Sequence, residues 1–331
     1  EILRQQLAFM LPDGAWDNSF GTRTAKWTYW GSRTSDGCQS AYSLLAERDS
    51  VFAEAAYRNT ELMERCTAGG LLCGGPEYEK HGELPCIHHS ISHCCALATA
   101  LDAGIEKYTV RTAIPADQVK KEIAYFPETD TYKLSLREWR ATVTGCDFCA
   151  DEGHASGGTM TLLWHRQAGT VLLSSVVDYR LVEPLNMQLS LKKSSHRPLT
   201  PRLEKIEGGK RYSFCYDTKA EIKAERQDKG LKITSDARLV SLEQQELPVP
   251  VACRIVYTID GDSVRIEAQI FGPGEGIRLV VPVIAEKAQV IGGPVLKENS
   301  EIFFLAGGFC AREFILEPDR AGKMWIRLTI S

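Results

Sequence analysis

The stretch Cys253-Arg-Ile-Val-Tyr-Thr-Ile-Asp-Gly-Asp-Ser-Val-Arg-Ile-Glu-Ala-Gln-Ile270 decides the fold class. Apolar and polar residues alternate on both sides of Asp260-Gly261, which is the period of a strand on either side of a two-residue hairpin turn. Similar runs recur from about Ile123 onward. They are Tyr132–Leu136, Thr159–Trp164, Thr170–Val177, Arg211–Tyr216, Gly230–Thr234, Ile277–Val281, Glu301–Leu305 and Met324–Ile330, with turn signals between them. Such a series predicts a large antiparallel β-sandwich of some ten or more strands.

Upstream the period lengthens to that of helices. Residues 1 to about 10 read as the end of a helix, closed by Pro12-Asp13-Gly14. Ser35-Asp36-Gly37 suits the start of a helix carrying Ala41, Leu44 and Leu45, and Asp49-Ser50 can cap another running through Phe52, Ala55, Ala56, Leu62 and Met63, stopped by Gly69-Gly70. A further helix spans about Cys86 to Leu101, with Gly104 after it; Ile87, Ile91, Cys94, Ala98 and Leu101 form its apolar face. The expected division is a helical segment over 1–115 and a sheet domain over 116–331, with Pro115 in the linker.

Between the first two helices lies Asp13-Gly-Ala-Trp-Asp-Asn-Ser-Phe-Gly-Thr-Arg-Thr-Ala-Lys-Trp-Thr-Tyr-Trp-Gly-Ser-Arg-Thr-Ser-Asp-Gly37, which has no clear period. Flat aromatic rings with polar handles, mixed with amide and guanidinium groups, suit the wall of a sugar site. Trp16, Trp27 and Trp30 would stack on sugar rings, with Arg33, Tyr78 and His81 as further substrate contacts. The competing reading is a loop whose rings fill a gap between domains.

Composition is ordinary for a soluble globular chain, and a net charge of −4 over 331 residues with no basic cluster argues against nucleic acid. It leaves an acidic polysaccharide open, because a few local cations suffice to meet one. No stretch is long and apolar enough for a membrane span, and Glu1-Ile-Leu-Arg-Gln-Gln-Leu7 lacks a signal-peptide profile. The missing initiator Met reads as processing or as a piece of something longer. Eleven cysteines, an odd and scattered set, leave the redox compartment open.

Three groups of residues could carry chemistry. Asn18, Arg23, Lys26, Tyr29 and Arg33 belong to the aromatic stretch; His81, His88, His89 and His93 to the helical part; Cys146-Asp-Phe-Cys149, His154 and His165 to the start of the sheets. The last group offers ligand types that zinc accepts, but ordinary buried thiols or a simple bridge explain Cys146 and Cys149 better, with Phe148 between them in strand-like surroundings. No cofactor is required, and a structural zinc or calcium ion is the inorganic group these residues would admit. His89 and His93 are one helical turn apart without a Glu-x-x-His frame, so they suit a site wall better than a metal. Tyr29 can serve in proton transfer if Arg23 or Arg33 lowers its pKa, or can simply stack.

Gly153-His-Ala-Ser-Gly-Gly-Thr-Met-Thr-Leu-Leu-Trp-His-Arg-Gln-Ala-Gly169 resembles the beginning of the β-sandwich in heparinase II/III-like polysaccharide lyases, and Ile87-His-His-Ser-Ile-Ser-His93 with the aromatic stretch resembles the closing helices of the (α/α) toroid before it. This chain has Ser156 where those lyases carry an acid. A toroid needs more helices than the first hundred residues supply, so the resemblance implies a C-terminal portion, an α+β chain with a toroid segment followed by a large antiparallel β-sandwich.

The resemblance further implies β-elimination on a uronic-acid-containing glycan. That reaction needs a neutraliser for the sugar carboxylate, a base for the C5 proton and an acid for the oxygen leaving C4. Asn18 or Arg23 suits the first role; Tyr29, His89, His93 or His154 suits the others. Glycans of this kind are met outside the cytoplasm, which points to a periplasmic or secreted protein. Two alternatives remain: a glycoside hydrolase using a carboxylate pair from Asp17, Asp36, Glu77, Glu79 and Glu83, and a non-catalytic carbohydrate-binding or structural module.

Overall fold

The computed structural model describes residues 1–17, 38–73, 85, 87–108, 122–147, 150, 153–174, 177, 198–293, 295–302 and 310–331. The chain opens with helices α1 (Ile2–Leu7), α2 (Cys38–Leu45), α3 (Ser50–Arg65) and α4 (Ile87–Asp102), with strands β1 (Thr67–Ala68) and β2 (Leu71–Leu72) paired between the last two. Asp49 starts α3 as expected: its carboxylate accepts from the Val51 amide, satisfying one of the donors that a helix N-terminus leaves open. The helix stops at Arg65, before the glycines read as its terminator. Gly69 and Gly70 instead make the two-residue turn of the hairpin, where φ of 56° and 80° favours residues without a Cβ.

The expected apolar face of α4 is its outer face. Ile87, Ile91 and Leu101 are 57%, 60% and 63% exposed, while Ser90, His93, Ala96 and Ala100 are buried. Small side chains on the buried stripe let α4 sit close to its neighbours. The Ser40 hydroxyl of α2 donates to the Ala96 carbonyl, and the Leu72 amide of β2 donates to the Ser90 hydroxyl.

From residue 123 the chain is built of strands. β3 (Ile123–Phe126), β4 (Thr131–Leu136), β5 (Trp139–Thr144), β6 (Thr159–His165) and β7 (Gly169–Leu173) form one antiparallel sheet in sequence order. After them come β8 (Arg202–Glu207), β9 (Lys210–Ser213), β10 (Glu221–Gln227), β11 (Gly230–Arg238), β12 (Ala252–Asp260), β13 (Ser263–Phe271), β14 (Ile277–Val283), β15 (Ala288–Gly293), β16 (Val295–Ile302), β17 (Cys310–Glu317) and β18 (Lys323–Ile330). They make two further sheets, ordered β16-β17-β14-β8-β9 and β10-β11-β12-β13-β18-β15. A hairpin joins β12 to β13 where the alternation put it, but Ile259 lies opposite Val264, so the two turn residues are Gly261-Asp262, one residue further on than the Asp260-Gly261 read from the sequence. The run Arg211–Tyr216 is strand only to Ser213, whose hydroxyl accepts from the Cys215 amide and turns residues 214–216 into a single 3-10 turn.

One core serves all three sheets. Leu134, Val143 and Leu163 meet Leu203, Val281 and Phe314 and, from the third sheet, Ile233, Ile255 and Ile266. A second core joins sheet to helices. In β6 the register slips by one residue at Thr161, between the pairs Thr142 with Leu162 and Val143 with Met160. The bulge re-aims the side chains, so Met160 and Leu163 point into the sandwich while Leu162 and Trp164 point out, against Leu7, Met10, Trp16 and Phe52. Every residue of β6 is therefore buried, and each large side chain contributes roughly 1.5–3 kcal/mol to holding the layers together.

Candidate functional site

The aromatic stretch begins on a rigid foot. The Leu11 amide donates to the Ala15 carbonyl, the Asp17 amide donates to the Phe9 carbonyl, and Met10 bridges Trp16. Gly14 has φ of 90°, and a Cβ there would lie 2.1 Å from the Arg58 carbonyl oxygen, so only glycine lets the turn lie this close to α3. From α3, Arg58 donates to the Pro12 carbonyl, Asn59 to the Gly14 carbonyl and Arg65 to the Asp13 carbonyl. Burial pushes the Asp13 carboxyl up, against the pull of the Ala15 amide and of Arg65.

Asp17 carries this foot to the sheet. Its buried carboxylate pairs with Lys133 on β4 and accepts from the Thr142 hydroxyl on β5. The Lys133 ammonium also lies over the Phe9 ring at 5.1 Å, and Phe9 packs on Phe126 at 4.7 Å. Beside this contact runs an apolar cleft between α1's end and the sheet, lined by Ala8, Met10, Leu11, Phe126, Lys133 and Arg140. On the return, Gln39 donates to Asn59 on α3. The chain thus leaves for residues 18–37 from the seam between helices and sheet, and comes back to α2 against α3.

The proposed site residues fare differently. Trp16 is 3% exposed and stacks on Tyr42 at 5.8 Å between centroids, which corrects its reading as a sugar platform: it is part of the helical core. Asn18, Arg23, Trp27, Tyr29, Trp30, Arg33, Tyr78 and His81 lie outside the described residues, as does the His89 side chain, although its backbone belongs to α4. His93 is buried on the inner face of α4, between the positions bonded to α2 and β2. His154 is also buried, its Nδ1 3.7 Å from the Asp147 carboxylate, beside a small cluster of Ala155, Val177, Cys215 and Tyr216.

Of the zinc reading, Cys149 lies outside the described residues, and His165 stands apart from the other described residues of the set. His154 precedes β6, whereas His165 ends it, six residues beyond Thr159 and so roughly 20 Å along the strand. His165 packs edge-on against Trp139, and burial pushes its pKa down despite Glu138. Among the described residues no cluster of three or more His, Cys, Asp or Glu side chains is placed to hold a metal ion, and no helix is long and apolar enough to cross a membrane. Asp17, weighed above only as a hydrolase carboxylate, is instead a tether.

A second buried carboxylate organises the sandwich side. Glu204 on β8 accepts from Arg202, Arg211 and Arg278, and Arg202 also lies 3.9 Å from Glu313. Burial alone would push the Glu204 carboxyl up; the three guanidiniums outweigh it and bring it down to about 2.

Residues 1–118 match the ulvan lyase N-terminal domain, and residues 123–294 match the ulvan lyase C-terminal domain. Over 231 residues the chain is 40% identical to the broad-specificity ulvan lyase of Formosa agariphila, an alignment covering 67% of this chain and 35% of that protein. The chain thus spans little more than a third of that curated relative. Among solved structures, 4-alpha-glucanotransferase from Thermococcus litoralis covers 89% of this chain and 50% of its own, at 9% identity and a TM-score of 0.45. A mutant of heparan sulfate lyase HepC from Pedobacter heparinus covers 100% and 55%, at 11% identity and a TM-score of 0.44. Both likenesses are too loose to assign a fold. The polysaccharide-lyase resemblance read from residues 153–169 is matched at the level of family. Because the C-terminal domain match alone takes in more than half of the residues, this chain belongs to the ulvan lyase family.

Proposed function

We propose that this chain is part of a polysaccharide lyase that cleaves an acidic, uronic-acid-containing glycan of the ulvan type by β-elimination. The observation that carries the reading is the pairing of both ulvan lyase domain matches in one chain with 40% identity to a broad-specificity ulvan lyase. The helices, up to about residue 115, act as a segment of an (α/α) toroid, and residues 116–331 as the sandwich domain. Support for the toroid comes from the apolar outer stripe of α4, which is what a helix packed between two others would carry. Work on an extracellular polymer makes the protein periplasmic or secreted.

The chemistry is assigned to the segment that starts at Asp17. Asn18 and Arg23 would neutralise the sugar carboxylate and the charge that develops next to it as the C5 proton leaves. Tyr29, with His89, would take that proton and return one to the oxygen departing from C4. Trp27 and Trp30 would stack on the sugar rings, while Arg33, Tyr78 and His81 extend the contacts. His93 and His154, being buried, act as supports of the helical and sheet walls rather than as proton carriers.

Tyr29→Phe in the complete enzyme tests the reading. With ulvan as substrate, the ultraviolet absorbance of the unsaturated product should grow roughly 10²–10⁴-fold more slowly, the usual contribution of a positioned acid or base. An unchanged rate removes Tyr29 from the mechanism. New reducing ends without that absorbance would replace elimination by hydrolysis.

A further inference from the structure

We propose that the cleft formed by three hairpin turns at one end of the sandwich binds an anionic sugar unit of an acidic glycan, as a docking site additional to the one assigned to the aromatic stretch. The turns are Arg137-Glu138 between β4 and β5, Asp228-Lys229 between β10 and β11, and Gly261-Asp262 between β12 and β13. With Arg226, Asp260 and Arg327 they enclose a cleft of about 480 Å³, within the roughly 300–1,000 Å³ of small-molecule sites. That the occupant is a sugar rests on the lyase reading; the cleft and its charge do not.

Four cations reach the cleft, and two of them are free to meet a ligand. Arg226 is used locally: it pairs with Glu122 and donates to the Gln227 and Gly230 carbonyls, which holds the β10–β11 turn. Arg327 donates to the Ser263 hydroxyl and comes within 4.0 Å of Asp260. Arg137 and Lys229 face solvent. The Arg137 guanidinium lies over Gly261, where a Cβ would collide with it. Its ion pair with Asp262 is loose, 3.7 Å between side chains 68% and 91% exposed. Arg137 also has φ of 49°, at the first turn position, where such hairpins favour glycine. An arginine held there at a conformational cost points to a task for its side chain.

The carboxylates select the class of ligand. Asp260 accepts from the Asp262 and Ser263 amides and from the Ser263 hydroxyl, so it serves its own turn. Asp228 and Asp262 are exposed at the rim. Among the described residues no three acidic or metal-binding side chains converge, which sets a metal ion aside. A nucleic acid, anionic at every unit and without many hydroxyls, would be repelled by the two rim carboxylates. A sugar acid meets both signs: its anionic group pairs with Arg137 and Lys229, and its hydroxyls donate to Asp228 and Asp262.

The test is native electrophoresis of the full chain through gels containing ulvan, with dextran as the neutral control. The parent should be retarded by ulvan and not by dextran. In Arg137→Asn/Lys229→Gln, which keeps at position 137 a residue that tolerates positive φ, the apparent affinity should fall roughly 5-fold, as for two exposed charge contacts. The difference should shrink as salt is raised. Lys223→Gln/Arg254→Gln removes two exposed cations from the same sheet as the β10–β11 and β12–β13 turns but outside the cleft, and should bind like the parent. An unretarded parent, retardation by dextran, equal affinity of parent and cleft variant, or an equal loss in the control variant overturns the proposal. If the cleft variant fails to fold, Lys229→Gln alone decides: a loss of about 2-fold supports the site and none overturns it. The gel reads binding and the ultraviolet absorbance of the product reads elimination, so this site and the lyase reading fail separately.

Discussion

In β11, β12 and β13 every second residue is buried, from Leu231, Ile233 and Ala237 through Ile255, Tyr257 and Ile259 to Ile266, Ala268 and Ile270, and each finds its partners in the facing sheets. In α4 the side chains buried are Ser90, His93, Ala96 and Ala100, while the larger apolar ones face outward with Leu44 of α2, itself 64% exposed. The sandwich satisfies its own hydrophobic pattern; the helices lean on β6 from one side through Leu162 and Trp164. Stability should therefore sit in the sheets and at the seam, and least of all on the outer helical stripe.

The largest effect belongs to the sandwich. Glu204→Ala takes the shared carboxylate from Arg202, Arg211 and Arg278; Arg202, the buried one, keeps only Glu313 at 3.9 Å, so the cost sits at the low end of that for breaking a buried pair, about 3 kcal/mol. Denaturant unfolding should show that loss. The pH dependence has a fixed sign: Glu204 titrates at about 2 in the folded chain against an ordinary 4.5. Its contribution is complete above about pH 5 and fades as the pH falls toward 2, where the folded-state carboxylate takes its proton. Glu204→Ala should lack that acid-side decline. A variant as stable as its parent would mean that the sheets do not rely on this network.

A smaller loss is expected at the seam. Lys133→Met strips Asp17 of its cation but leaves the Thr142 hydroxyl donating to it, so the cost falls to about 2–3 kcal/mol. Adding Asp17→Asn removes the orphaned charge and should recover part of the loss. The double-mutant cycle should give a coupling of about 1 kcal/mol or more. Additive effects would show that Asp17 and Lys133 do not act as a pair, and the seam would then rest on Trp164 and Leu162 alone.

The sequence made the sheets visible wherever alternation and turn chemistry agreed, as on both sides of Asp260-Gly261. Strands β3, β5, β8, β10, β15 and β17 escaped, and β16 was caught only at its end by the run Glu301–Leu305, whose last three residues lie outside the described ones; charged or small residues blur the period, as in Glu221-Ile-Lys-Ala-Glu-Arg-Gln227. The bulge at Thr161 has no sequence signature, since it is set by the partner strand. In α4 the 3.6-residue period was correct and its direction was not: periodicity says which residues share a face, never which neighbour that face meets. The tether between Asp17 and Lys133 joins residues 116 apart, and no local pattern links them. Of the candidate site, the aromatic stretch was legible as a cluster of sugar-binding residue types, yet the burial of Trp16 was not, because a ring that stacks on Tyr42 has the same composition as one that stacks on sugar.

The smallest effect sharpens the contrast most. Ile91→Glu changes a residue 60% exposed on the outer face of α4, and in the present chain it should move stability by no more than about 0.5 kcal/mol. Ile91, Ile87, Leu101 and Leu44 are nonetheless apolar in a stripe, the arrangement a helix adopts when it packs on both sides. The curated relative is much longer than the stretch this chain matches. In a protein of that length, with further helices laid on the stripe, the same substitution would bury a carboxylate without a partner, and the cost should rise to several kcal/mol. Melting both lengths with and without the change separates the cases. A large loss confined to the longer protein means that the helices here are one sector of a ring; equal small losses in both would leave the stripe facing water and the toroid reading without its support.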